Sequence, residues 1–80
     1  MISKLNTHKR VVGAKQVKRA LALSDVEAVF IALDAEDKVT KEIKELCNTK
    51  QIQIIPVDNM VDLGKACGIG INAAVAALLK

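Results

Sequence analysis

Five consecutive apolar residues, Val29-Phe30-Ile31-Ala32-Leu33, constrain this 80-residue chain more than any other feature. Side chains alternate faces along a strand, so a strand that is apolar on both parities needs cover on both sides. Val26 to Leu33 is therefore predicted as a central, doubly covered strand. A chain this short has room for one domain, residues 1–80.

The flanking segments alternate short apolar runs with helical periods, the pattern of an α/β sandwich. Arg10-Val11-Val12-Gly13 reads as a short strand ending in glycine. Lys15 to Leu23 follows as a helix, with Val17, Ala20 and Leu21 on one side and Lys15, Lys18 and Arg19 on the other. Three cations on one short face repel each other unless an anion joins them. Asp34-Ala35-Glu36-Asp37 is a loop, and Asp37 is the expected N-cap of a helix over 38–49. That helix buries Val39, Ile43, Leu46 and Cys47 and wets Lys41, Glu42, Lys44 and Glu45. Cys47 reads as a small core residue.

Gln51 to Val57 is a third strand, and Pro56 requires a strand end or a free edge. Asp58 or Asn59 caps a short helix, Met60 to Cys67, which stops at Gly68. The tail from Ile69 to Leu79 carries two readings. Its alanines favour helix, while its short apolar run after Gly70 fits a buried strand.

Charge is unevenly distributed. Residues 1–24 hold Lys4, Lys9, Arg10, Lys15, Lys18 and Arg19 and no acid, although the whole chain has a net charge of only +3. One concentrated positive end is expected, suited to a polyanionic partner. Several functions are set aside. Hydrophobic residues make up 51% of the chain, too many for disorder. The apolar tail Ala73–Leu79 is far short of the roughly 20 residues that span a bilayer, and Met1–Arg10 has no secretory core. A soluble, cytoplasmic protein without a membrane partner is expected. Cys47 and Cys67 are too few for a disulfide scaffold.

With His8 as the single histidine, read as solvated, and no CxxC, no metal site is expected. No cofactor is expected either. Gly68-Ile69-Gly70-Ile71-Asn72-Ala73 matches GxGxxA, but no acid lies about twenty positions on, and Gly64-Lys65 lacks the rest of a P-loop. Asp34, Glu36 and Asp37 are explained by capping and solvation, and no nucleophile has a nearby histidine, so the chain reads as no enzyme. Phe30 is the sole aromatic and sits in the buried strand, which excludes stacking on exposed rings.

If RNA is the partner, polar groups on a backbone turn and aliphatic contacts must read it. Two segments could. Gly13-Ala14-Lys15-Gln16-Val17-Lys18-Arg19 opens a helix with a glycine, leaving N–H groups free to meet a phosphate or base edge. Gln16 both donates and accepts, and Lys15 and Arg19, four apart, face the same side. In the Gly68–Asn72 loop, Ile69 and Ile71 are either exposed aliphatic contacts or core residues of a tight turn.

These two segments carry a resemblance. Gly13-x-Lys15-Gln16-x-x-Arg19 resembles the signature of the L-seven-Ae / L-thirty-e family of ribosomal proteins, and is closest to the Gly-x-Lys-Gln-x-x-Lys of its bacterial YbxF-like branch. Leu63-Gly64-Lys65-Ala66-Cys67-Gly68-Ile69 is similar to a second family segment, and Phe30–Leu33 and Ile54-Ile55-Pro56-Val57 match in order and spacing.

The resemblance implies a three-layer α/β/α sandwich with a mixed, about four-stranded sheet, and so assigns the tail to a strand. It implies a non-enzymatic, ribosomal-protein-like monomer that binds kink-turn RNA, whether ribosomal RNA, a riboswitch or another structured RNA. Such an RNA has tandem sheared G·A pairs beside a sharp bend. By position, Lys15 and Gln16 would meet guanine edges, with Gly13 allowing close approach. Lys18 would join the RNA-binding face, Arg19 would take a phosphate or a base, and Ile69, Gly70 and Ile71 would form an apolar loop over the extruded base. Arg19 replaces the family's lysine, changing donor geometry. Gly70 stands where many members have an acid, which implies a more flexible loop. A protein–protein adaptor of the same fold, docking its basic helix on an acidic partner, is the alternative.

Overall fold

The computed structural model describes residues 9–80; Lys4 and His8 lie outside them. The elements run β1 (Arg10–Val12), α1 (Ala14–Ala22), β2 (Val26–Ala32), α2 (Asp37–Lys50), β3 (Gln53–Val57), α3 (Met60–Cys67) and β4 (Val75–Leu79). The four strands form one sheet in the order β1-β4-β2-β3. β4 is antiparallel to both β1 and β2, and β2 is parallel to β3, so the sheet is mixed.

The doubly apolar strand is covered as its pattern requires. Ala28, Phe30 and Ala32 of β2 pack with Leu63 and Cys67 of α3. Val29 and Ile31 pack with Val17, Ala20 and Leu21 of α1 and Ile43 and Cys47 of α2. The result is three layers, with α1 and α2 on one face and α3 on the other. A register shift between Val26 and Ala28 keeps this arrangement consistent. Val26 has the parity of Ala28 yet joins the α1/α2 cluster, because the irregularity lets Glu27 stay exposed between them. Cover ends with the strand: Leu33, expected inside, lies one residue past β2 and is 68% exposed.

The tail is a strand, and it is central. Ala76 aligns with Val12 on one side and Phe30 on the other, and Ala77 aligns with Val11 and Val29. Both alanines are fully buried. Small side chains here leave room for the neighbouring Phe30 and for helices on both faces. The helical preference of alanine is at most about 0.7 kcal/mol per residue over ordinary residues, too little to outweigh ladder bonding and burial.

Element ends follow local chemistry. Glu36, not Asp37, is the N-cap of α2; its side chain makes no capping bond, and Asp37 supplies negative charge in the first turn. Gln51 adopts φ 57° as the left-handed cap of α2, so β3 starts two residues later than the apolar run indicates. Asn59 is the cap of α3, its Oδ1 accepting from the Asp62 N–H at 2.8 Å. Gly68 ends α3 at φ 72°. β3 is an edge strand, which accommodates Pro56. The Leu33 N–H donates to the Val57 carbonyl at 2.8 Å, so Pro56, one position earlier, turns its missing donor to the open edge.

Two predictions follow from this packing. Ala76→Leu is expected to cost about 1–3 kcal/mol by overpacking, read as a lower thermal midpoint; an unchanged midpoint would show that the sheet has slack there. Cys47 and Cys67 are buried and unpaired, and burial pushes both thiols up from their ordinary pKa, with the Arg10 charge partly opposing this at Cys67. Alkylation at neutral pH is therefore expected to be slow in the native protein and fast once it is unfolded. Equal rates would contradict the burial.

Candidate nucleic-acid interface

Strand direction decides what meets at each end of the sheet. β1 and β2 are each antiparallel to β4, and β3 is parallel to β2, so β1, β2 and β3 all point one way. At their C-terminal end lie Gly13 with the start of α1, the 33–36 loop with the start of α2, and the start of α3. The chain also enters β4 there. The Gly13 N–H donates to the Val75 carbonyl at 3.0 Å, and the Ala32 N–H donates to the Ala74 carbonyl at 2.9 Å. The start of α1 and the segment by which the Gly68–Asn72 loop leads into β4 therefore meet at one end of the molecule.

The tip of α1 is built by Gly13, at φ 100° and ψ 150°, a conformation that an L side chain rarely adopts. A Cβ built there would meet nothing within 4 Å, so the glycine is required by its backbone angles and leaves an open approach. The first helical bond runs from the Val17 N–H to the Gly13 carbonyl at 3.0 Å. Among the described residues no side chain caps α1, and its first turn holds no acid. The N–H groups of Ala14, Lys15 and Gln16 thus point out of the helix start without intrahelical partners. Lys15, Gln16 and Arg19 are exposed beside them, while Val17, Ala20 and Leu21 anchor the opposite side.

The cations that cluster in sequence separate in space. Lys9 stands at the start of β1, where its carbonyl accepts the Leu79 N–H, at the opposite end of the sheet from Lys15. Arg10 is half-buried and donates from Nε to the Cys67 carbonyl at 2.9 Å, a cation at the C-terminal end of α3. Lys18 donates to Glu42 Oε2 at 2.7 Å and so leans toward α2. The expected single positive end is thereby narrowed. Among the described residues, Lys15 and Arg19 are exposed and make no ion pair. Asp34, Glu36, Asp37 and Asp58 follow β2 and β3 at the same end of the sheet. On the α1 side of that end Lys15 and Arg19 stand apart from these acids, which on the other side are joined by the exposed Lys38.

The Gly68–Asn72 loop divides its two isoleucines. Ile69 is half-buried and packs against the α3 cluster, whereas Ile71 is 70% exposed. Gly70, at φ 69°, has nothing within 4 Å of a built Cβ. Leu33, just past β2, adds an exposed apolar side chain at the end of the sheet that carries the α1 tip. Its position past the strand was hidden in the sequence because nothing in an unbroken apolar run marks where cover stops. Arg10 was legible as a charge, but its use as a clamp on α3 needed the fold. Away from this end, an open groove of about 500 Å³ between α2 and β3 is lined by Lys44, Cys47, Ile52 and Ile54 among others. Its thiol is held protonated by burial.

Comparison with known proteins places this arrangement. Residues 2–80 match the family described as Ribosomal protein L7Ae/L30e/S12e/Gadd45. A protein named RNA-binding protein from Caldanaerobacter subterraneus subsp. tengcongensis is 52% identical over 69 residues, covering 86% of this chain and 84% of that protein. RNA-binding protein YbxF of Geobacillus stearothermophilus is 36% identical over 76 residues, covering 95% and 93%. A solved structure of a protein of unknown function from Bacillus halodurans C superposes with a TM-score of 0.88 at 25% identity, over 99% of this chain and 83% of that one. The Giardia lamblia 15.5kD RNA binding protein shares the fold, with a TM-score of 0.91 at 20% identity over 99% and 70% of the two chains. The chain belongs to the ribosomal protein L7Ae/L30e/S12e/Gadd45 family.

Proposed function

We propose that this protein is a non-enzymatic RNA-binding protein that recognises a kink-turn and holds it bent, acting as a ribosome-associated monomer in the cytoplasm. One observation carries the reading. The acid-free start of α1 presents Lys15, Gln16 and Arg19 beside the entry to β4, into which the loop bearing the exposed Ile71 leads. Relatives named as RNA-binding proteins, similar over most of their length, support it.

The roles follow from donor chemistry. Lysine donates to the O6 and N7 acceptors of guanine, and Gln16 offers both a donor and an acceptor to a purine edge. Gly13 lets the nucleic acid come close to the free N–H groups. Arg19 takes a phosphate, in the fork geometry that guanidinium favours. Phosphates track the α1 side, because the acids after β2 and β3 repel them from the rest of that end. Ile71 covers an unstacked base, with Gly70 giving its backbone room. The protein shifts the RNA toward the bent form only by the difference in its affinity for bent and straight RNA.

The experiment is a titration against one kink-turn and its G·A-to-paired mutant at two salt concentrations. Lys15→Ala and Gln16→Ala are each expected to lose about 1–3 kcal/mol of preference for the G·A-paired loop. Equal losses on both RNAs would contradict guanine readout. Arg19→Ala should instead weaken both RNAs and lower the salt slope by about one. Lys18→Ala should change binding least of the three cations, because its ammonium already has Glu42 as a partner at 2.7 Å. A loss as large as that of Lys15→Ala would move Lys18 into the interface.

A further inference from the structure

We infer that Asp34 and Gly64 are positioning residues that seat the Gly68–Asn72 loop on α3 and thereby fix where Ile71 stands relative to the α1 tip. The consequence for binding rests on the RNA reading above; the geometry does not.

After α3 stops at Gly68, the chain doubles back along the helix it has just left. The Ile69 N–H donates to the Gly64 carbonyl at 3.3 Å, and the Ala73 N–H donates to the Met60 carbonyl at 3.1 Å. Between these tethers the returning backbone crosses Gly64. A Cβ at Gly64 would lie 1.8 Å from the Ile71 carbonyl oxygen and 2.8 Å from its carbon. The obstacle is backbone, which has no rotamer with which to move aside. Gly64 is a buried residue inside an eight-residue helix, where glycine is unfavourable. Close passage of the loop accounts for its presence. The Ile71 carbonyl is pressed toward the helix while its side chain remains exposed.

Asp34 holds the other end of this path. Its Oδ1 accepts the Met60 N–H at 2.8 Å from 26 residues away in sequence. Asn59 already provides the local cap of α3 by accepting from Asp62. Asp34 therefore acts as a second, non-local cap, tying the first residue of α3 to the loop after β2. The carbonyl of that same Met60 receives the Ala73 N–H. One residue thus links Asp34 on its donor side to the returning loop on its acceptor side. Arg10 fixes the far end of α3 through the Cys67 carbonyl at 2.9 Å. A loop held this way enters the complex already ordered, which lowers the entropy lost on binding.

The test uses the full chain with Asp34→Ala, Asp34→Asn, Gly64→Ala, Ile71→Ala and Gln16→Ala. Amide hydrogen exchange without RNA is the first readout. Asp34→Ala should speed exchange at the Ala73 amide by about tenfold through local opening, with Val17 in α1 unchanged. Asp34→Asn, which keeps an acceptor oxygen, should restore protection. In titrations with a kink-turn RNA, the loss from Asp34→Ala should add little to that of Ile71→Ala but should multiply with that of Gln16→Ala. Gly64→Ala, if it folds, should show the same pairing; if it does not, the two Asp34 variants decide. Unchanged exchange at Ala73 in Asp34→Ala, or losses that multiply equally with Ile71→Ala, would overturn the inference. A wild-type protein that binds no kink-turn would defeat the proposed function, while exchange at Ala73 would still decide the role of Asp34.

Discussion

The contact between Phe30 and Ala76 is the constraint on which the rest of the structure depends. Phe30 is the one aromatic residue of the chain and is fully buried. Its strand needs cover on both faces, and its register partner in β4 must be small for α3 to close over the ring. This requirement places an alanine-rich strand at the centre of the sheet. Once β4 lies antiparallel between β1 and β2, the C-terminal ends of β1 and β2 must share one end of the molecule, and the parallel pairing of β3 with β2 adds the end of β3. The meeting of the α1 tip with the chain's entry into β4 is thus a result of core packing, while the course of the loop before that entry is set by its seat on α3.

At that end, chemistry is divided by strand order. The edge position of β1 puts Gly13, Lys15 and Arg19 on one side, and the acids following β2 and β3 lie on the other. Net charge describes this poorly. The useful quantity is which cations remain uncommitted after folding, and of those in β1 and α1 the fold engages Arg10 at a helix terminus and Lys18 at Glu42. A polyanion therefore meets a narrow donor cluster, where position matters more than total charge.

Most of the architecture was legible because hydrophobic period reports burial directly. Val26–Ala32, the α2 stripe and the Asn59 and Gly68 ends of α3 each combine period with a local signal. The tail was not legible from residue preference, since alanine in a strand is chosen by its neighbours Phe30 and Val12, which lie far away in sequence. The exposure of Leu33 and the left-handed cap at Gln51 escaped for the same reason: both depend on where cover ends. Within the candidate site, the α1 face was readable from spacing. The division between Ile69 and Ile71 was not, because two isoleucines flanking a glycine look alike until the loop is laid on α3.

Pro56 has a further consequence. Along the open side of β3 the outward-facing residues are Ile54 and Pro56, so this stretch offers a single outward N–H, at Ile54. A foreign β-segment needs a run of donors and acceptors to zip onto a sheet. With that run broken, this border of the sheet resists templated growth into fibres.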